Sequence, residues 1–211
     1  MEQSTRERRH ERTRQAILEA ARKIIAQEGV EALSMRAIAQ RIDYSPAGLY
    51  EYFDNKDEIV AAVCEQGHRR LTEYMLRADF SLPPDDLLLE LGLAYIDFAV
   101  RNPDFFLLMF TSPATSVAPA AGSAAGAAVV DEIIQEGSSF LPLLRTIQRG
   151  VDEGMFKPRA GYGAFEMAVT AWAMVHGIAM LRIGHLKHVP AAFAALERES
   201  LRRIGAGLKA L

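Results

Sequence analysis

Apolar residues recur every three or four positions along most of this chain, and that spacing is typical of one face of an α-helix. Between Leu33 and Glu58 the pattern is interrupted and predicts two short helices joined by a tight turn. Ser34 and Ser45 are good N-caps for these helices, and Pro46 takes a first-turn position where its missing N–H costs nothing. The segment therefore has the outline of a helix-turn-helix.

Two further helices are predicted next to this outline. The first short helix is expected to end near Arg41, and the second is barely two turns long. A helix over 13–28 precedes them and ends at Gly29, while Asn55 begins a long helix with Glu58 at the reciprocal capping position. Because short helices need neighbours to be stable, we expect these elements to close a small helical core.

The remainder of the chain is also predicted to be helical. Helices are expected from 55 to about 77, from 84 to before 102, over 105–110, from 139 to 153, from 160 to about 184 and from 190 to 208. Residues 111–128 are rich in Ala, Ser, Gly and Pro, which predicts a mobile loop. The fold class is all-α, with a three-helix helix-turn-helix domain over 1–56 and a larger helical domain over 57–211. Its last two helices can form half of an intermolecular four-helix bundle.

The helix-turn-helix outline leaves small and hydrogen-bonding residues available at its surface, as a helix that enters the major groove of DNA requires. The candidate DNA-binding residues are Arg36, Ser45, Pro46, Ala47, Gly48, Tyr50, Tyr52 and Lys56. A basic arm precedes them and contains Arg6, Arg8, Arg9, Arg12 and Arg14. Tyr50 and Phe53 also fit a role as core aromatics, and Arg36 and Lys56 also fit ordinary solvated charges.

The segments TRQAILEAARKIIAQEG and LSMRAIAQRIDYSPAGLYEYFDNKDEIV resemble the N-terminal domain of TetR-family (tetracycline-repressor-like) transcriptional regulators. The resemblance implies that one subset of the candidates touches the DNA backbone and another faces bases. The first subset is Arg36, Ser45, Tyr50, Tyr52 and Lys56, and the second is Pro46, Ala47 and Gly48. Glu51 departs from the family, which often has a basic, histidine or aromatic residue there. Its carboxylate would repel phosphate unless it accepts from a cytosine amino group, so its role is open.

The segments AYIDFAVRNPDFFLLMF and AWAMVHGIAML resemble a TetR-family subgroup with a Trp-His-Gly (WHG) C-terminal domain, here Trp172, His176 and Gly177. The resemblance implies a homodimer formed through the last two helices and an effector pocket in the same domain. Aromatic and aliphatic side chains generally line such pockets. The candidates are Tyr95, Phe98, Phe106, Met109, Phe110, Phe140, Leu144, Trp172, His176 and Met180. Each apolar candidate also fits plain core packing, and His176 also fits a satisfied core histidine.

Charge and composition narrow the function classes. The net charge is -3, with residues 1–56 carrying net +1 and the rest net -4, so DNA binding has to rely on local placement of charge. The single cysteine, Cys64, excludes an intramolecular disulfide and suits a reducing compartment. The N-terminus lacks an apolar signal-peptide core, and the apolar run 167–181 is too short to span a bilayer. We expect a cytoplasmic protein with no membrane partner.

Metal and catalytic chemistry are poorly supported. Glu65 and His68 have the i, i+3 spacing of carboxylate-bridged iron ligands, but this pair occurs once. His185 and His188 share the spacing near a helix end, where solvent exposure is the ordinary outcome. No G-x-S-x-G motif, phosphate loop or Cys-His arrangement is present. We therefore predict no metal, no cofactor and no enzymatic activity.

These patterns together predict a ligand-responsive DNA-binding transcriptional regulator. The working hypothesis is a repressor that binds a palindromic double-stranded DNA operator as a dimer and is released by a small, largely apolar effector. A helical protein-interaction adaptor and a helical small-molecule enzyme are the alternatives, but neither accounts for the N-terminal caps and basic residues. The sequence does not specify the operator, the effector, the regulated genes or whether regulation is negative or positive.

Overall fold

The computed structural model describes residues 4–111, 138–189 and 192–210, with the backbone alone for 192–194 and 210. In these ranges the chain is helical and has no strand, which confirms the predicted all-α class. The elements are α1 (Thr5–Glu28), a 3-10 turn (Val30–Ala32), α2 (Met35–Arg41), α3 (Pro46–Leu49), α4 (Lys56–Met75), α5 (Pro84–Arg101), α6 (Pro103–Thr111), α7 (Leu141–Asp152), α8 (Ala164–Ile183) and α9 (Ala192–Ala210). Apart from Thr111, the predicted loop over 111–128 lies outside the described residues.

Two compact units divide the described residues. The first contains α1, α2, α3, the part of α4 through Gly67 and α6 from Asp104 onward. The second contains α4 from His68 onward, α5, α7, α8 and α9. Helix α4 thus contributes to both units. The division of the sequence into domains after residue 56 stays a prediction.

Helix α1 begins eight residues earlier than the sequence pattern predicts. Ser4 is its N-cap: the Glu7 N–H donates to Ser4 Oγ at 3.2 Å, and the Ser4 N–H donates to Glu7 Oε2 at 2.7 Å. This reciprocal arrangement satisfies two backbone N–H groups that would otherwise lack a partner within the helix. Hydrophobic spacing could not locate this start because positions 5–12 contain no apolar residue. The predicted basic arm is therefore helical.

Side-chain caps define the helix-turn-helix segment, as predicted. Ser34 Oγ accepts from the Ala37 N–H at 3.1 Å, and Ser45 Oγ accepts from the Gly48 N–H at 3.0 Å. Asp43 has φ +53°, a left-handed conformation that asparagine and aspartate tolerate better than most residues and that closes the tight turn. Helix α3 has four residues, shorter than the nearly two turns predicted.

Helix α4 starts with a cap that differs in one bond from the predicted one. The Glu58 N–H donates to Asn55 Oδ1 at 2.9 Å, as expected for an N-cap. The Glu58 carboxylate accepts instead from the Asp54 N–H at 2.6 Å, one residue before the cap. The helix ends at Met75 rather than near residue 77. Within the first unit, a Cβ on Gly67 would lie 2.4 Å from Met109 Sδ, so α4 and α6 pack closely because this position lacks a side chain.

The second unit is built around α5, which packs against α7, α8 and α9. Phe98 is fully buried and meets Tyr74 of α4 edge-on, with ring centroids 5.4 Å apart. A Cβ on Gly92 would lie 3.0 Å from Leu201, which brings α5 and α9 close together. Arg149 of α7 donates hydrogen bonds to the carbonyls of Phe80, at 2.8 Å, and Leu82. The arginine thereby fixes the connection between α4 and α5 to α7.

Several apolar residues of α7, α8 and α9 lie outside the core of the second unit. Leu144 of α7 is only half-buried, and Leu143 next to it is buried instead. Helix α8 is not enclosed on all sides within the single chain, because Met174 is 49% and Leu181 is 47% exposed. Leu196 of α9 is 52% exposed, whereas Leu201, Ile204 and Leu208 of the same helix are buried. Helices α8 and α9 therefore carry more apolar side chains than a single chain buries.

Helix α8 also corrects the expectation about membranes that was based on length. It has 20 residues and is long and apolar enough to cross a bilayer by those two measures alone. The uninterrupted apolar run in the sequence was a poor guide because Ala164 and neighbouring residues extend the helix beyond the run. Core helices of soluble proteins pass the same test, so the length and composition of α8 are weak evidence for a membrane span.

Candidate functional site

Most of the predicted DNA-contacting residues are exposed on α2, α3 and the turns that flank α3. Arg36, Ser45, Pro46, Ala47, Tyr50 and Lys56 are exposed, and Gly48 and Tyr52 are half-buried. Tyr50 is 57% exposed, whereas its neighbours Leu49 and Phe53 are buried in the core of the first unit. Of the two aromatics that also fitted a core role, Phe53 takes that role and Tyr50 does not. We call this set, from Arg36 to Lys56, the helix-turn-helix surface.

An aromatic cluster that the sequence did not indicate adjoins this surface. Tyr52 stacks on His10 of α1, with ring centroids 4.5 Å apart and planes inclined by 28°, and it meets Tyr44 edge-on at 6.4 Å. A hydrogen bond with Tyr52 raises the pKa of the exposed Tyr44 hydroxyl, and Arg9 opposes that shift. A Cβ on Gly48 would lie only 2.6 Å from the Tyr44 ring. A side chain at position 48 would therefore displace Tyr44.

Glu51, the acidic departure within the surface, is exposed beside this cluster. Its negative charge adds to the upward shift of the Tyr44 pKa, so the carboxylate lies within electrostatic reach of the Tyr44 hydroxyl. The Tyr44 hydroxyl is thus acted on by the Tyr52 hydroxyl, the Glu51 carboxylate and the Arg9 guanidinium. Hydroxyl and guanidinium groups both donate hydrogen bonds to phosphate oxygens, which limits the local effect of one carboxylate.

The predicted effector residues are divided between the two units. Phe106, Met109 and Phe110 belong to α6 in the first unit, where Phe106 and Phe110 are tilted against each other at 4.9 Å. The second unit holds Tyr95, Phe98, Phe140, Leu144, Trp172, His176 and Met180. Of these, Tyr95, Phe98 and Phe140 are buried, and the other four are half-buried.

Three polar side chains from α5 and α8 meet in the second unit. The Trp172 indole N–H donates to Tyr95 Oη at 3.2 Å, and Tyr95 Oη lies 2.9 Å from His176 Nδ1. Tyr95 Oη accepts a hydrogen bond from the indole N–H and can donate its own proton to His176 Nδ1 when the histidine is the neutral Nε2–H tautomer. Burial lowers the pKa of His176 and raises the pKa of Tyr95, so both groups are neutral near pH 7.

Aromatic rings extend this polar group toward α7. Phe140 meets Trp172 edge-on at 5.9 Å and Phe165 at 6.0 Å between ring centroids. Phe165 was not among the predicted residues, because its position in the first turn of α8 gave no sign that it faces Phe140. The second unit therefore combines an aromatic wall with the hydroxyl, indole and imidazole groups of Tyr95, Trp172 and His176.

The residues considered for metal or redox chemistry do not form such a cluster. Among the residues with described positions, no group of three or more His, Cys, Asp and Glu side chains could hold a metal ion. Burial lowers the pKa of His68. Burial also raises the pKa of the Cys64 thiol to about 11, so this thiol is protonated at neutral pH. His185 and His188 are exposed in the turn after α8.

Comparison with protein families gives two matches that together span most of the chain. Residues 17–63 match the family described as bacterial regulatory proteins, tetR family. Residues 88–204, more than half of the chain, match the tetracyclin repressor-like C-terminal domain. The first match contains the whole helix-turn-helix surface. The second contains the Tyr95, Trp172 and His176 group.

Curated relatives match a little under half of the chain. The chain is 31% identical over 94 residues to the HTH-type transcriptional regulator YobS of Bacillus subtilis, which covers 44% of this chain and 49% of that protein. It is 30% identical over 103 residues to the HTH-type transcriptional repressor NicS of Pseudomonas putida, covering 48% of each protein. The chain thus spans about half the length of the curated relatives it matches. These relatives are transcriptional regulators rather than enzymes, as the sequence predicted.

Solved structures share the fold over nearly the full length. A protein from Rhodococcus sp. RHA1 is 25% identical with a TM-score of 0.72, covering 93% of this chain and 95% of that one. A bacterial regulatory protein of the tetR family from the same organism is 21% identical with a TM-score of 0.67, covering 90% of this chain and 95% of that one. The family matches, the relatives and the fold agree. This chain belongs to the TetR family of DNA-binding transcriptional regulators.

Proposed function

We propose that this protein is a repressor that binds a palindromic operator as a homodimer and is released by a small, largely apolar effector. The observation that carries the DNA-binding part is the exposure of Tyr50 between two buried apolar neighbours. An aromatic ring that is 57% exposed contributes little to the core, and Ser45 and Lys56 of the same helix-turn-helix surface are exposed as well. The P. putida relative is named a transcriptional repressor, which supports the negative sign of regulation.

In this proposal α3 enters the major groove and the surrounding residues contact the backbone. Pro46, Ala47 and Gly48 carry no long side chain, so the helix backbone can approach base edges closely. Arg36 and Lys56 lie before and after them in the chain and supply the positive charges that phosphates attract. A dimer would place two such helices in half-sites about 34 Å apart, or a multiple of that spacing.

Salt-dependent DNA binding tests the DNA-binding part. The full-length protein would be used to enrich a duplex from a random-sequence library, and affinity for that duplex would be measured by gel shift over a range of salt concentrations. Tyr50→Ala and Lys56→Ala are expected to weaken binding, and Lys56→Ala should also reduce the salt slope by about 0.9 for each phosphate that the lysine neutralises. Lys187→Ala, which removes an exposed charge from the turn after α8, is the matched control. Full, salt-sensitive affinity in both variants of the DNA surface would refute the assignment.

The proposed dimer uses the exposed apolar side chains of the last two helices. Met174, Leu181 and Leu196 are each about half exposed in the single chain, and burying such side chains stabilises an interface by roughly 25 cal/mol for each Å². Sedimentation of Met174→Arg should show a monomer where the unmodified protein shows a dimer. Leu76→Arg is the control, because Leu76 is 56% exposed but lies outside α8 and α9. Equal dissociation in both variants would contradict this interface.

The proposed effector site is the aromatic group around Tyr95, Trp172 and His176. Its rings offer apolar contact, and its neutral hydroxyl and imidazole groups would orient a ligand without demanding a charged one. Trp172 is the single tryptophan of the chain and reports on this site directly. Anilinonaphthalene sulfonate, which has apolar aromatic rings and one charged sulfonate, serves as the test ligand, and energy transfer from Trp172 to the bound dye is expected. Dye fluorescence that does not respond to excitation of Trp172 would place the dye elsewhere.

Release from DNA requires that the effector bind one conformation of the dimer more tightly than the other. Helix α7 offers a connection: it follows Phe140 of the proposed effector site, and its Arg149 holds the carbonyls of Phe80 and Leu82 after α4. A shift of α7 would therefore act on the end of the helix that begins at Lys56. We expect the bound dye to lower the affinity of the protein for the enriched duplex. We expect a smaller decrease in Arg149→Met.

A further inference from the structure

Helix α1 continues well beyond the part of it that is packed in the core. Its buried residues are Ile17, Leu18, Ala20, Ala21 and Ile24, which all lie in its second half. The first half, from the Ser4 cap onward, is exposed except at Thr13 and Arg14, which are half-buried. This first half of the helix has no apolar face of its own, so we expect its side chains to have a role other than stabilising the core.

The core-facing side of α1 continues into this first half at regular helical spacing. Moving back from Ile17 by three or four residues at a time leads to Thr13 and Arg14, then to His10 and then to Arg6. Two contacts confirm the direction. The Arg14 guanidinium lies 5.1 Å above the Phe53 ring, and His10 stacks on Tyr52.

Arg9 lies beside His10 at the edge of the same side. Its positive charge lowers the pKa of Tyr44, so its guanidinium is close enough to act on the Tyr44 hydroxyl. Arg8 and Arg12 follow the other side of the helix, in line with the exposed Glu19 and Lys23. The arginines of the basic arm therefore divide into two sets that point in different directions.

Within the described part of α1, the two glutamates near Arg6 and Arg9 have other hydrogen-bond partners. Glu7 accepts from the Ser4 N–H at 2.7 Å and is part of the cap, and Glu11 accepts from the Gln15 amide at 2.7 Å. Both glutamates follow a line along the helix different from that of Arg6 and Arg9. The Arg6 and Arg9 side chains are exposed: Arg6 lies one turn before His10, which stacks on Tyr52, and Arg9 acts on the Tyr44 hydroxyl.

We propose that Arg6 and Arg9 contact DNA phosphates beside the helix-turn-helix surface, that Arg8 and Arg12 do not, and that His10 is a positioning residue for Tyr52. This inference rests on the proposed DNA-binding function and extends it to a helix outside the helix-turn-helix. A phosphate contact needs a flexible cation near the backbone and carries no sequence information of its own. The stacked His10 ring restricts Tyr52 to one orientation, so that the Tyr52 hydroxyl is already positioned for its contact with the DNA backbone.

Two double variants with the same change of charge test the phosphate contacts. Arg6→Gln with Arg9→Gln should weaken binding of the enriched duplex by roughly tenfold and reduce the salt slope by about 0.9 for each phosphate that is no longer neutralised. Arg8→Gln with Arg12→Gln should leave the salt slope unchanged. This variant is the control, because it loses the same net charge as the first, and an effect of net charge alone would appear equally in both. Circular dichroism of both variants controls for loss of helix.

The outcomes separate this inference from the function on which it rests. Equal slopes in the two double variants, together with a reduced slope in Lys56→Ala, would overturn the role of Arg6 and Arg9 and leave DNA binding by the helix-turn-helix intact. Unchanged slopes in all three would overturn the proposed DNA surface as well. The inference is supported if the salt slope is reduced in the Arg6 and Arg9 variant and unchanged in the Arg8 and Arg12 variant.

Rescue by another aromatic ring tests the role of His10. His10→Ala should weaken DNA binding by a few-fold because Tyr52 loses the stacked ring, whereas His10→Phe should restore the affinity of the unmodified protein. The salt slope should stay the same in both variants. Affinity as low in His10→Phe as in His10→Ala would contradict a positioning role, since it would show that the imidazole itself is required.

Discussion

The two compact units place their candidate functional residues in opposite ways. In the first unit, Tyr50 and Lys56 are exposed while Leu49 and Phe53 form the core beside them. In the second unit, Tyr95 and Phe98 are candidates for effector contact and are also buried core residues. Residues of the first kind can change without loss of the fold. Residues of the second kind can change only if the surrounding core is repacked.

Truncating one ring in each unit gives the largest difference. Phe98→Ala should lower the free energy of unfolding by about 3–5 kcal/mol, because it removes a fully buried ring and leaves a cavity. Tyr50→Ala should change it by less than about 0.5 kcal/mol, since the ring is mostly in solvent. Urea unfolding followed by circular dichroism measures both. Similar losses in the two variants would erase the contrast between the units.

Removing one hydroxyl in each unit gives a smaller difference. Tyr95→Phe deletes the oxygen that joins Trp172 to His176 and should cost about 1–3 kcal/mol. It should also shift the fluorescence emission of Trp172, whose indole N–H loses this acceptor. Tyr50→Phe, which removes an exposed hydroxyl, should leave stability unchanged to within about 0.5 kcal/mol. Unaltered Trp172 emission in Tyr95→Phe would show that the hydrogen bond is unimportant in solution.

The α3 cap links stability to DNA binding in the first unit. Ser45→Ala removes the acceptor for the Gly48 N–H and should cost about 1 kcal/mol. Ser45→Asp keeps an acceptor and should regain most of that stability, but its negative charge should still weaken binding to DNA. Thermal unfolding and gel shift separate the two effects. If Ser45→Asp bound DNA as tightly as the unmodified protein, position 45 would not lie near phosphate.

Among these changes, acidification should lower the stability of the second unit by the smallest amount. Burial lowers the pKa of both His68 and His176 below the ordinary value, so the unfolded chain takes up protons more readily than the folded one. The histidine contribution to stability is therefore complete above about pH 7 and is lost as the pH falls below about 6.5. His176→Gln should flatten the decline of the unfolding free energy between about pH 7 and 5. A decline as steep as in the unmodified protein would exclude a contribution of His176.

Sequence reasoning succeeded where the determinants are local. Ser34 and Ser45 cap their helices through hydrogen bonds to N–H groups three positions away, and Pro46 lies in the first turn of its helix, so the helix-turn-helix could be located from the sequence. The start of α1 was missed because it depends on a polar capping box rather than on apolar spacing. Stacking of His10 on Tyr52 joins residues from separate parts of the fold and has no counterpart in the sequence pattern.

The second unit was harder to predict because its contacts are distant in sequence. Tyr95 and His176 are 81 residues apart, and periodicity places each on an apolar face without showing that they meet. Leu144 and Leu196 also lie at apolar positions of their helices, but Leu144 is half-buried and Leu196 is 52% exposed. Apolar spacing thus identifies a helix face only approximately. Packing against other helices decides which residues of that face are enclosed.

Hydrogen exchange of the full-length protein, with and without the enriched duplex, is the sharpest test of DNA binding through the helix-turn-helix surface. We expect DNA to slow exchange of backbone N–H groups between residues 34 and 56. We expect little change in α8 and α9, whose proposed role is to join the two protomers. Slowed exchange confined to α8 and α9, with none between residues 34 and 56, would contradict DNA binding through this surface.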